Sequence, residues 1–443
     1  MPAPAPQAET RPARAATRWS ARQLLMQPHR LCFSAAALVW AASALWWLLA
    51  LAWPDAAAAV PATTVHALVF TLGPMPLFFA GFLFTSAPKW LRRPDCDTKP
   101  LRPGVAMVVL GWLLLPVVSR WSATAAGLAL CLCAVGWALL WGRLVALRRG
   151  ATRRSRHFDA IAAVCGLIVL ALAAAALALL LGRADRAREV ARCALWAAVL
   201  PVFLLASHRL LPFLSRIDPL QPDASSAPRA AWWLPAVPLA ASLLLALSAW
   251  PGMPATVVED AWPLRVALPG AAGVLTLWLA LRWSAHPATR SPLLQHLLRA
   301  FAWSGAAWLG LAGSALPWLA PPLRAGLDAA ALHALTLGFA GGTMLAMVSR
   351  LSATQAGRSQ AVDRYARVLE AMLQLALVTR LLAALWPAAT AQALPLAALL
   401  WAVIAAAWLW RHGGQAGRLR AQRQRPMPAE SPAAARPASR GGQ

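Results

Sequence analysis

The chain has 443 residues, of which 60% are hydrophobic and only 13% are charged, and its mean hydropathy is +0.57. Charged residues make up about 25% of a typical soluble protein, so this composition excludes a soluble enzyme, a disordered chain and a secreted disulfide-rich domain. The formal net charge of +26 raises the question of nucleic-acid binding, which the positions of the basic residues decide.

Twelve apolar segments follow one another along the chain. A membrane-spanning helix needs about 20 mostly apolar residues. Such segments occur at 31–54, 66–88, 103–119, 121–142, 160–182, 193–208, 230–258, 266–281, 300–323 and 329–349, and residues 365–410 hold two more, separated near Trp386. They are continuous and rich in Ala and Leu, which favours helices over a β-barrel. The sequence therefore predicts an all-α polytopic membrane protein with about twelve transmembrane helices.

Most of the 41 basic residues fall in alternate connecting segments, starting with the N-terminal one. The positive-inside rule assigns these segments to the cytoplasm, so both termini are predicted to be cytoplasmic. One segment is discordant, because the predicted outer loop before the sixth span holds Arg183, Arg186, Arg188 and Arg192. The charge thus sets the topology and does not indicate nucleic-acid binding.

Three regions are predicted from this pattern. Residues 1–30 form a basic cytoplasmic segment, residues 31–411 form the membrane domain, and residues 412–443 form a disordered cytoplasmic tail. No cleavable signal peptide is indicated, and the first span targets the chain to the membrane. The six cysteines form no CxxC motif and are interpreted as small apolar core residues.

Ionisable residues inside a membrane are costly, so their positions are informative. No Asp or Glu lies in the middle of a predicted span, which disfavours a proton-driven carrier but leaves a carrier of neutral substrates open. Two predicted spans depart most from the apolar pattern: the third is short, and the eleventh carries Glu370 and Arg380. Arg350, at the inner end of the tenth span, is interpreted as a topology anchor.

Three histidines stand out. His66 opens the second span and His333 opens the tenth, and both spans enter from the outer face, so the two rings are predicted to lie at a similar depth. His208 lies near the inner end of the sixth span. Two imidazoles at matching depth suit a haem iron or a copper ion. The alternative is that each ring only hydrogen-bonds a carbonyl or a lipid headgroup.

Small residues and methionines accompany these histidines. Gly338, Gly341 and Met344 follow His333 along its helix, and Gly73 follows His66. Missing side chains admit either a flat macrocycle or a neighbouring helix. The sulfur atoms of Met75, Met344 and Met347 offer ligands to copper, or these residues simply fill the core.

Four sequence elements resemble the NnrS family, whose members are polytopic haem- and copper-containing membrane proteins associated with the response to nitric oxide. Residues 80–90, AGFLFTSAPKW, resemble its AGFLLTAVPNW element, and residues 209–216, RLLPFLSR, resemble GRxIPFFTR. Residues 333–338, HALTLG, resemble HALTxG, and Gly342-Thr343-Met344 through Arg350, with Gly357-Arg358, resembles GxMTLAVMTRATLGHTGR. The elements occur in the family's order.

The chain also departs from the family's pattern. The family's HxHEMxxG element keeps its first histidine as His66, but Leu68 replaces the second histidine and Val69 replaces the glutamate. Gln355 stands in place of the histidine of GHTGR, and His208 stands where the family usually has glycine. The resemblance thus implies haem b, with His66 and His333 as the expected pair, whereas the replaced side chains argue against copper.

The resemblance implies a haem protein that acts in nitric oxide response or tolerance, with the haem near the periplasmic face. The lost ligands weaken a multi-electron reaction, so no enzymatic reaction is predicted. One alternative is a metal-free membrane carrier or exporter, in which the histidines contact substrate or pack. Another is an accessory subunit of a respiratory membrane complex. The lipid bilayer is the expected partner, with nitric oxide as the implied ligand; no residue indicates a particular protein partner.

Overall fold

The computed structural model describes residues 19–53, 58–152, 154–215, 233–355 and 362–418. Within these ranges every regular element is helical, which confirms the predicted all-α class. The helices of the numbered spans are Pro28–Ala52 (span 1), Ala62–Leu72 with Pro74–Trp90 (span 2), Arg102–Val118 (span 3), Ala123–Arg149 (span 4), Arg156–Leu180 (span 5), Ala184–Ala194 with Leu200–Ser215 (span 6), Trp233–Ser248 (span 7), Trp262–Ser284 (span 8), Pro292–Ser314 (span 9), Pro321–His333 with Gly342–Gln355 (span 10), Arg364–Leu385 (span 11) and Thr390–Ala416 (span 12). Short helices occupy Ala21–Leu24, Lys99–Leu101, Ala255–Asp260, Pro287–Thr289 and Pro387–Ala389.

Ten helices in the described part of the chain are long and apolar enough to cross a membrane. The helix of span 7 is shorter, and that of span 9, which carries Gln295, His296 and Arg299, is not among the ten. Both nevertheless lie in the bundle, since span 8 packs against span 7 on one side and span 9 on the other. The structure is therefore a polytopic helical membrane protein.

Several helices begin or end away from the apolar segments that predicted them. Span 9 begins at Pro292, eight residues before the predicted 300–323 segment, because the Ser291 side chain caps it by accepting a hydrogen bond from the Leu294 N–H. Span 7 ends at Ser248 and not at residue 258. Just after Ser248, Pro251 and Gly252 turn the chain, and Gly252 has a φ of +91°. Hydropathy locates an apolar segment, whereas capping and turn residues set the ends of its helix.

Spans 2, 6 and 10 form the inside of the bundle. They are the most buried of the ten apolar helices, with 78%, 72% and 56% of their apolar windows buried. Consecutive spans pack against each other, and span 12 packs against span 1, so the outer helices enclose these three. The second helix of each consecutive group of four is thus interior.

Each interior span is interrupted. Gly73 separates the two helices of span 2 with φ −86° and ψ −93°, and a Cβ there would lie 2.4 Å from the carbonyl oxygen of Val69, so only glycine fits. Spans 6 and 10 each contain a π-helical segment, at Leu195–Val199 and Ala334–Gly341. Such π segments are frequent at functional sites because they redirect side chains.

The two ends of the described chain meet at one end of the bundle. The Trp19 indole N–H donates to the carbonyl of Gly413 at 2.9 Å. Arg30, which is 7% exposed, donates to the carbonyls of Ala416 and Arg418 at 3.1 Å and so satisfies the end of span 12. The helices of the twelve spans thus run from Pro28 to Ala416, and span 12 includes residues 412–416, which were predicted to belong to the tail. Residues 1–18 and 419–443 lie outside the described residues.

Candidate functional site

A cavity of about 550 Å³ lies among spans 1, 2, 6, 10, 11 and 12. Both His66 and His333 line it, so the structure brings together the two histidines that the sequence placed at a similar depth. Its volume lies within the range of roughly 300–1,000 Å³ that is usual for ligand and cofactor pockets. We call it the outer cavity, because these histidines open spans 2 and 10 at the predicted outer face.

His333 is held in one orientation. Its Nδ1 lies 2.7 Å from the carbonyl oxygen of Ala329, one turn earlier in span 10. A carbonyl only accepts hydrogen bonds, so Nδ1 carries the proton and donates it, and Nε2 of the neutral ring keeps its lone pair. A hydrogen bond of this kind on the far nitrogen is the usual support of a metal-bound histidine. The ring is therefore prepared to coordinate a metal through Nε2.

His66 is held by packing and not by a hydrogen bond. Its ring centroid lies 4.1 Å from that of Trp47 and 4.8 Å from that of Phe70. Its Nδ1 is buried and has no hydrogen-bond partner among the described residues. An unpaired buried nitrogen is costly unless a ligand or water satisfies the ring. His66 thus has a fixed position and a free hydrogen-bonding or coordinating capacity.

Three arginines also line the outer cavity. One guanidinium nitrogen of Arg192 donates to both carboxylate oxygens of Asp328, at 2.7 and 2.8 Å, and Arg188 lies 3.9 Å from Asp185. Arg380 of span 11 has neither a hydrogen-bond nor an ion-pair partner in the described part of the chain. An unpaired guanidinium inside a membrane protein is costly and marks a functional position. The cavity therefore carries positive charge that the described residues do not neutralise.

These arginines correct the prediction of a basic outer loop before span 6. Arg186, Arg188 and Arg192 lie on the helix Ala184–Ala194, which begins before the predicted 193–208 segment. Arg188 and Arg192 line the outer cavity. A hydropathy average falls at charged residues, so the predicted segment began only after them. The helix includes these residues because Arg188 and Arg192 face the cavity and Arg192 pairs with Asp328. The exception to the positive-inside pattern therefore has a structural reason.

The remaining wall of the outer cavity is apolar and aromatic. Trp40 of span 1 and Trp401 of span 12 pack with their ring centroids 4.9 Å apart, and Trp408 lies below them, 5.9 Å from Trp40. Met75 and Met344 add thioether side chains. A chamber with aromatic walls, two imidazoles and a cationic end suits a flat apolar ligand with an anionic edge.

The predicted glycines have different roles. Gly341 lines the outer cavity, and a Cβ there would meet the Trp401 ring at 3.6 Å. Gly338 does not line it and instead packs against Trp303 and Leu377, where a Cβ would approach both side chains to 2.9 Å. Gly73 interrupts span 2, which lets residues of both its helices reach the cavity. Thus, of the three glycines, only Gly341 borders the space where a ligand would lie.

His208 lies outside the outer cavity. Its Nδ1 is 3.2 Å from Nε2 of His157 in span 5, and the two rings stack at 5.3 Å with an angle of 24°. Its neighbour Arg209 stacks on Trp90 of span 2, with the guanidinium carbon 4.4 Å from the ring centroid. Two of the family-like elements, at 80–90 and 209–216, therefore contact each other at the predicted inner end.

The residues that bear on copper are dispersed. Leu68 and Val69 are fully buried in the core and do not line the outer cavity, and Met347 packs in a separate cluster with Leu297 and Leu298. The Gln355 side chain and residues Gly357 and Arg358 lie outside the described part. Across the described ranges, no three His, Cys, Asp or Glu side chains are grouped as metal ligands.

Spans 2, 6 and 10, which contribute to the outer cavity, also carry the four sequence elements that resemble the NnrS family. The sequence profile of one family, described as NnrS protein, matches residues 23–418. The chain belongs to the NnrS family. The match includes all twelve spans, the outer cavity and both of its histidines. A comparison with curated proteins finds no match.

The residues of this NnrS family member fit a haem. The His333 Nε2 has a free lone pair, the His66 Nδ1 is an unpartnered buried polar atom, and the aromatic walls suit a macrocycle. Arg380 lacks a counter-charge within the described residues, and a haem carries anionic propionates. The sequence showed Arg380 as a charge in span 11, but no role was assigned to it, although an ionisable residue within a span is a signal of function.

Proposed function

We propose that the protein is an integral membrane haem protein of the bacterial inner membrane that acts in nitric oxide response or tolerance. His66 and His333 hold a haem b in the outer cavity, near the periplasmic face. The observation that carries the proposal is that one cavity is lined by both histidines and by the unpaired Arg380. The nitric oxide role rests on membership of the NnrS family.

The two histidines do different work in this proposal. His333 is oriented by its bond to the Ala329 carbonyl, which also makes Nε2 a better electron donor, so it is the permanent ligand. His66 has no such bond on Nδ1 and is kept in place only by Trp47 and Phe70. It is the weaker ligand and the one that exchanges. If His66 released the iron, a small ligand would gain access to it.

The other residues that line the outer cavity either bind the ligand or exclude water. Arg380, with Arg188 and Arg192 beside it, holds the anionic edge of the ligand, and charge-assisted hydrogen bonds of this kind are strong in a dry site. Trp40 and Trp401, packed against each other in the apolar wall, limit the access of water to the cavity. When bound, haem supplies an iron that binds nitric oxide or passes single electrons. Haem, and not copper, is the cofactor we assign, because Leu68 and Val69 pack in the core away from this cavity.

The experiment is a reduced-minus-oxidised spectrum of protein purified in detergent after expression with added haem precursor. We expect a b-type haem in the wild type, its loss in His333→Ala, and a weakened, altered spectrum in His66→Ala. His208→Ala is the matched control, because it removes an imidazole outside the cavity, and it should keep the haem. Wild-type protein without haem, or equal haem in all four proteins, would overturn the proposal.

The nitric oxide role needs a separate measurement. Nitric oxide added to the reduced wild type should shift the haem spectrum, and His66→Ala should bind it more readily because the exchanging ligand is gone. Cells that depend on this protein should lose nitric oxide tolerance with His333→Ala and keep it with His208→Ala. A haem that is present but unaffected by nitric oxide would leave the haem site standing and refute the nitric oxide role.

A second candidate, a metal-free carrier, is favoured by one observation. A smaller cavity of about 160 Å³ opens toward the opposite end of the bundle, and Leu345 and Trp408 line both cavities. Two chambers that meet at one thin partition are typical of alternating access. If this is the function, Leu345→Cys should react with a membrane-impermeant maleimide from either face, whereas a haem protein with a closed partition should react from at most one.

A further inference from the structure

The smaller cavity, which we call the inner cavity, is lined by residues of spans 9, 10, 11 and 12 at the end where the described termini meet. It has unusual polar content for a membrane protein interior. His296 and His412 line it and are 4% and 5% exposed, and the Nε2 atom of each is buried with no hydrogen-bond partner among the described residues. Two buried unpaired ring nitrogens in one cavity require a polar occupant.

The charges around the inner cavity do not cancel. Arg411 is paired with Asp363, which accepts two hydrogen bonds from it, and Arg411 also lies 4.6 Å from the centre of the Tyr365 ring. This pairing holds the pKa of the Asp363 carboxyl below its usual range. Arg350 lines the same cavity and has no side-chain partner in the described part of the chain. One positive charge therefore stays uncompensated.

The nearest buried carboxylate does not compensate it. Glu370, which is 8% exposed, lies 2.9 Å from a guanidinium nitrogen of Arg299 and 3.8 Å from Nδ1 of His296. It faces the far side of the His296 ring and does not line the cavity. Glu370 lies near the start of span 11 and not in the middle of it, and contacts with Arg299 and His296 of span 9 bury it. Its negative charge is already matched by Arg299.

We infer that the inner cavity binds one small oxyanion, of the size and charge of a carboxylate or a singly charged phosphate. Arg350 supplies a positive charge, and two N–H groups of its planar guanidinium can donate to one oxyanion at once. The hydroxyls of Ser349 and Ser352, which also line the cavity, supply further hydrogen bonds. The His296 and His412 nitrogens complete the polar lining. A volume of about 160 Å³ holds only a few heavy atoms or waters, which excludes a cofactor-sized ligand.

This inference does not rest on the haem proposal, and its experiment uses neither haem nor nitric oxide. Binding of radiolabelled acetate and of radiolabelled inorganic phosphate to the purified full chain is measured by equilibrium dialysis at constant ionic strength in chloride. We expect saturable binding of at least one of the two anions by the wild type. Arg350→Gln should weaken it at least tenfold, since it removes the one unpaired charge among the described residues that line the cavity.

Arg143→Gln is the matched control. Arg143 is an exposed arginine at the same end of the bundle, on span 4, and does not line the cavity, so its removal changes the net charge equally and should leave binding unchanged. Arg350→Lys, which keeps the charge and loses the planar fork, should fall between the wild type and Arg350→Gln.

Three results would overturn the inference. One is no saturable binding of either anion to the wild type, which would mean that the cavity holds only water. Another is equal weakening by Arg143→Gln, which would mean a diffuse charge effect. The third is full binding by a folded Arg350→Gln. If that variant fails to elute as a folded protein, Ser352→Ala replaces it, and unchanged binding in Ser352→Ala would refute the assigned donors.

Discussion

Replacing Arg380 by methionine should have opposite effects on the stability of the empty protein and on its affinity for haem. Arg380 lies in an apolar helix, lines the outer cavity and has no counter-charge among the described residues. Methionine has a similar length and no charge. If Arg380 is kept for an anionic ligand, the cavity without ligand should be more stable when the charge is removed.

The magnitude follows from the position of the residue. An arginine at the centre of a membrane helix costs roughly 2.5–3.5 kcal/mol. Arg380 lies five residues before Leu385, the end of span 11, and so about 7.5 Å from the helix end at 1.5 Å per residue. Since it also faces a cavity, we expect the substitution to stabilise the empty protein by about 1–2 kcal/mol.

The loss of haem-binding free energy in Arg380→Met should be larger than this gain in stability. A hydrogen bond to a charged group contributes about 1.5–3 kcal/mol, and every 1.4 kcal/mol is a factor of about ten in affinity. Arg380→Met should therefore weaken haem binding by about 10- to 100-fold. The two quantities are measured on the same preparations, as the melting temperature of haem-free protein in detergent and as haem transfer to an excess of a soluble haem acceptor.

Arg143→Met is the control, because it removes an exposed arginine at the predicted cytoplasmic end. It should change neither the haem affinity nor, by more than a few tenths of a kcal/mol, the stability. If Arg380→Met destabilises the empty protein and keeps haem, Arg380 has a structural role, and the argument from its missing counter-charge is wrong.

Two further predictions concern stability. Gly73→Ala should destabilise the protein by about 1–3 kcal/mol, because its Cβ would meet the Val69 carbonyl oxygen at 2.4 Å; Gly142→Ala, where nothing lies within 4 Å, should be neutral or stabilising by comparison in thermal unfolding. The Asp363 pair with Arg411 lowers the pKa of the carboxyl, so its contribution should be complete above about pH 4 and disappear as the pH falls through the lowered pKa. Because Asp363 is half exposed, that contribution is about 0.5 kcal/mol or less. Acid titration of stability should therefore show a slightly shallower loss in Asp363→Asn than in the wild type, and a steeper loss would contradict this sign.

The fold was predictable because its main determinant is local. Each span corresponds to a segment of about 20 mostly apolar residues. In a bilayer the backbone of such a segment has to satisfy its own hydrogen bonds and so forms a helix, whichever helices pack beside it. The ends of the helices were less predictable. Span 6 extends through Arg186, Arg188 and Arg192, because one side of that helix faces a polar cavity, which hydropathy averaged over a segment does not record.

The candidate site was predictable in part. His66 and His333 were recognisable because ionisable residues in spans are rare, and the topology derived from the basic residues placed both at a similar depth near the outer face. Gly341 and Met344, which share the face of His333 at helical spacing, line the cavity. Gly338 does not share that spacing and packs against Trp303, a contact between two helices that one sequence does not record.

The sequence by itself thus determined the class of protein, the order of the spans and the two histidines, since these depend on composition and on single rare residues. Only the tertiary structure decided that span 2 meets span 10, that Arg380 and Arg350 have no partner in the described chain, and that His208 pairs with His157. The reason is physical. A span is stabilised in the membrane one helix at a time, whereas a cavity and an unpaired charge are properties of several helices packed together.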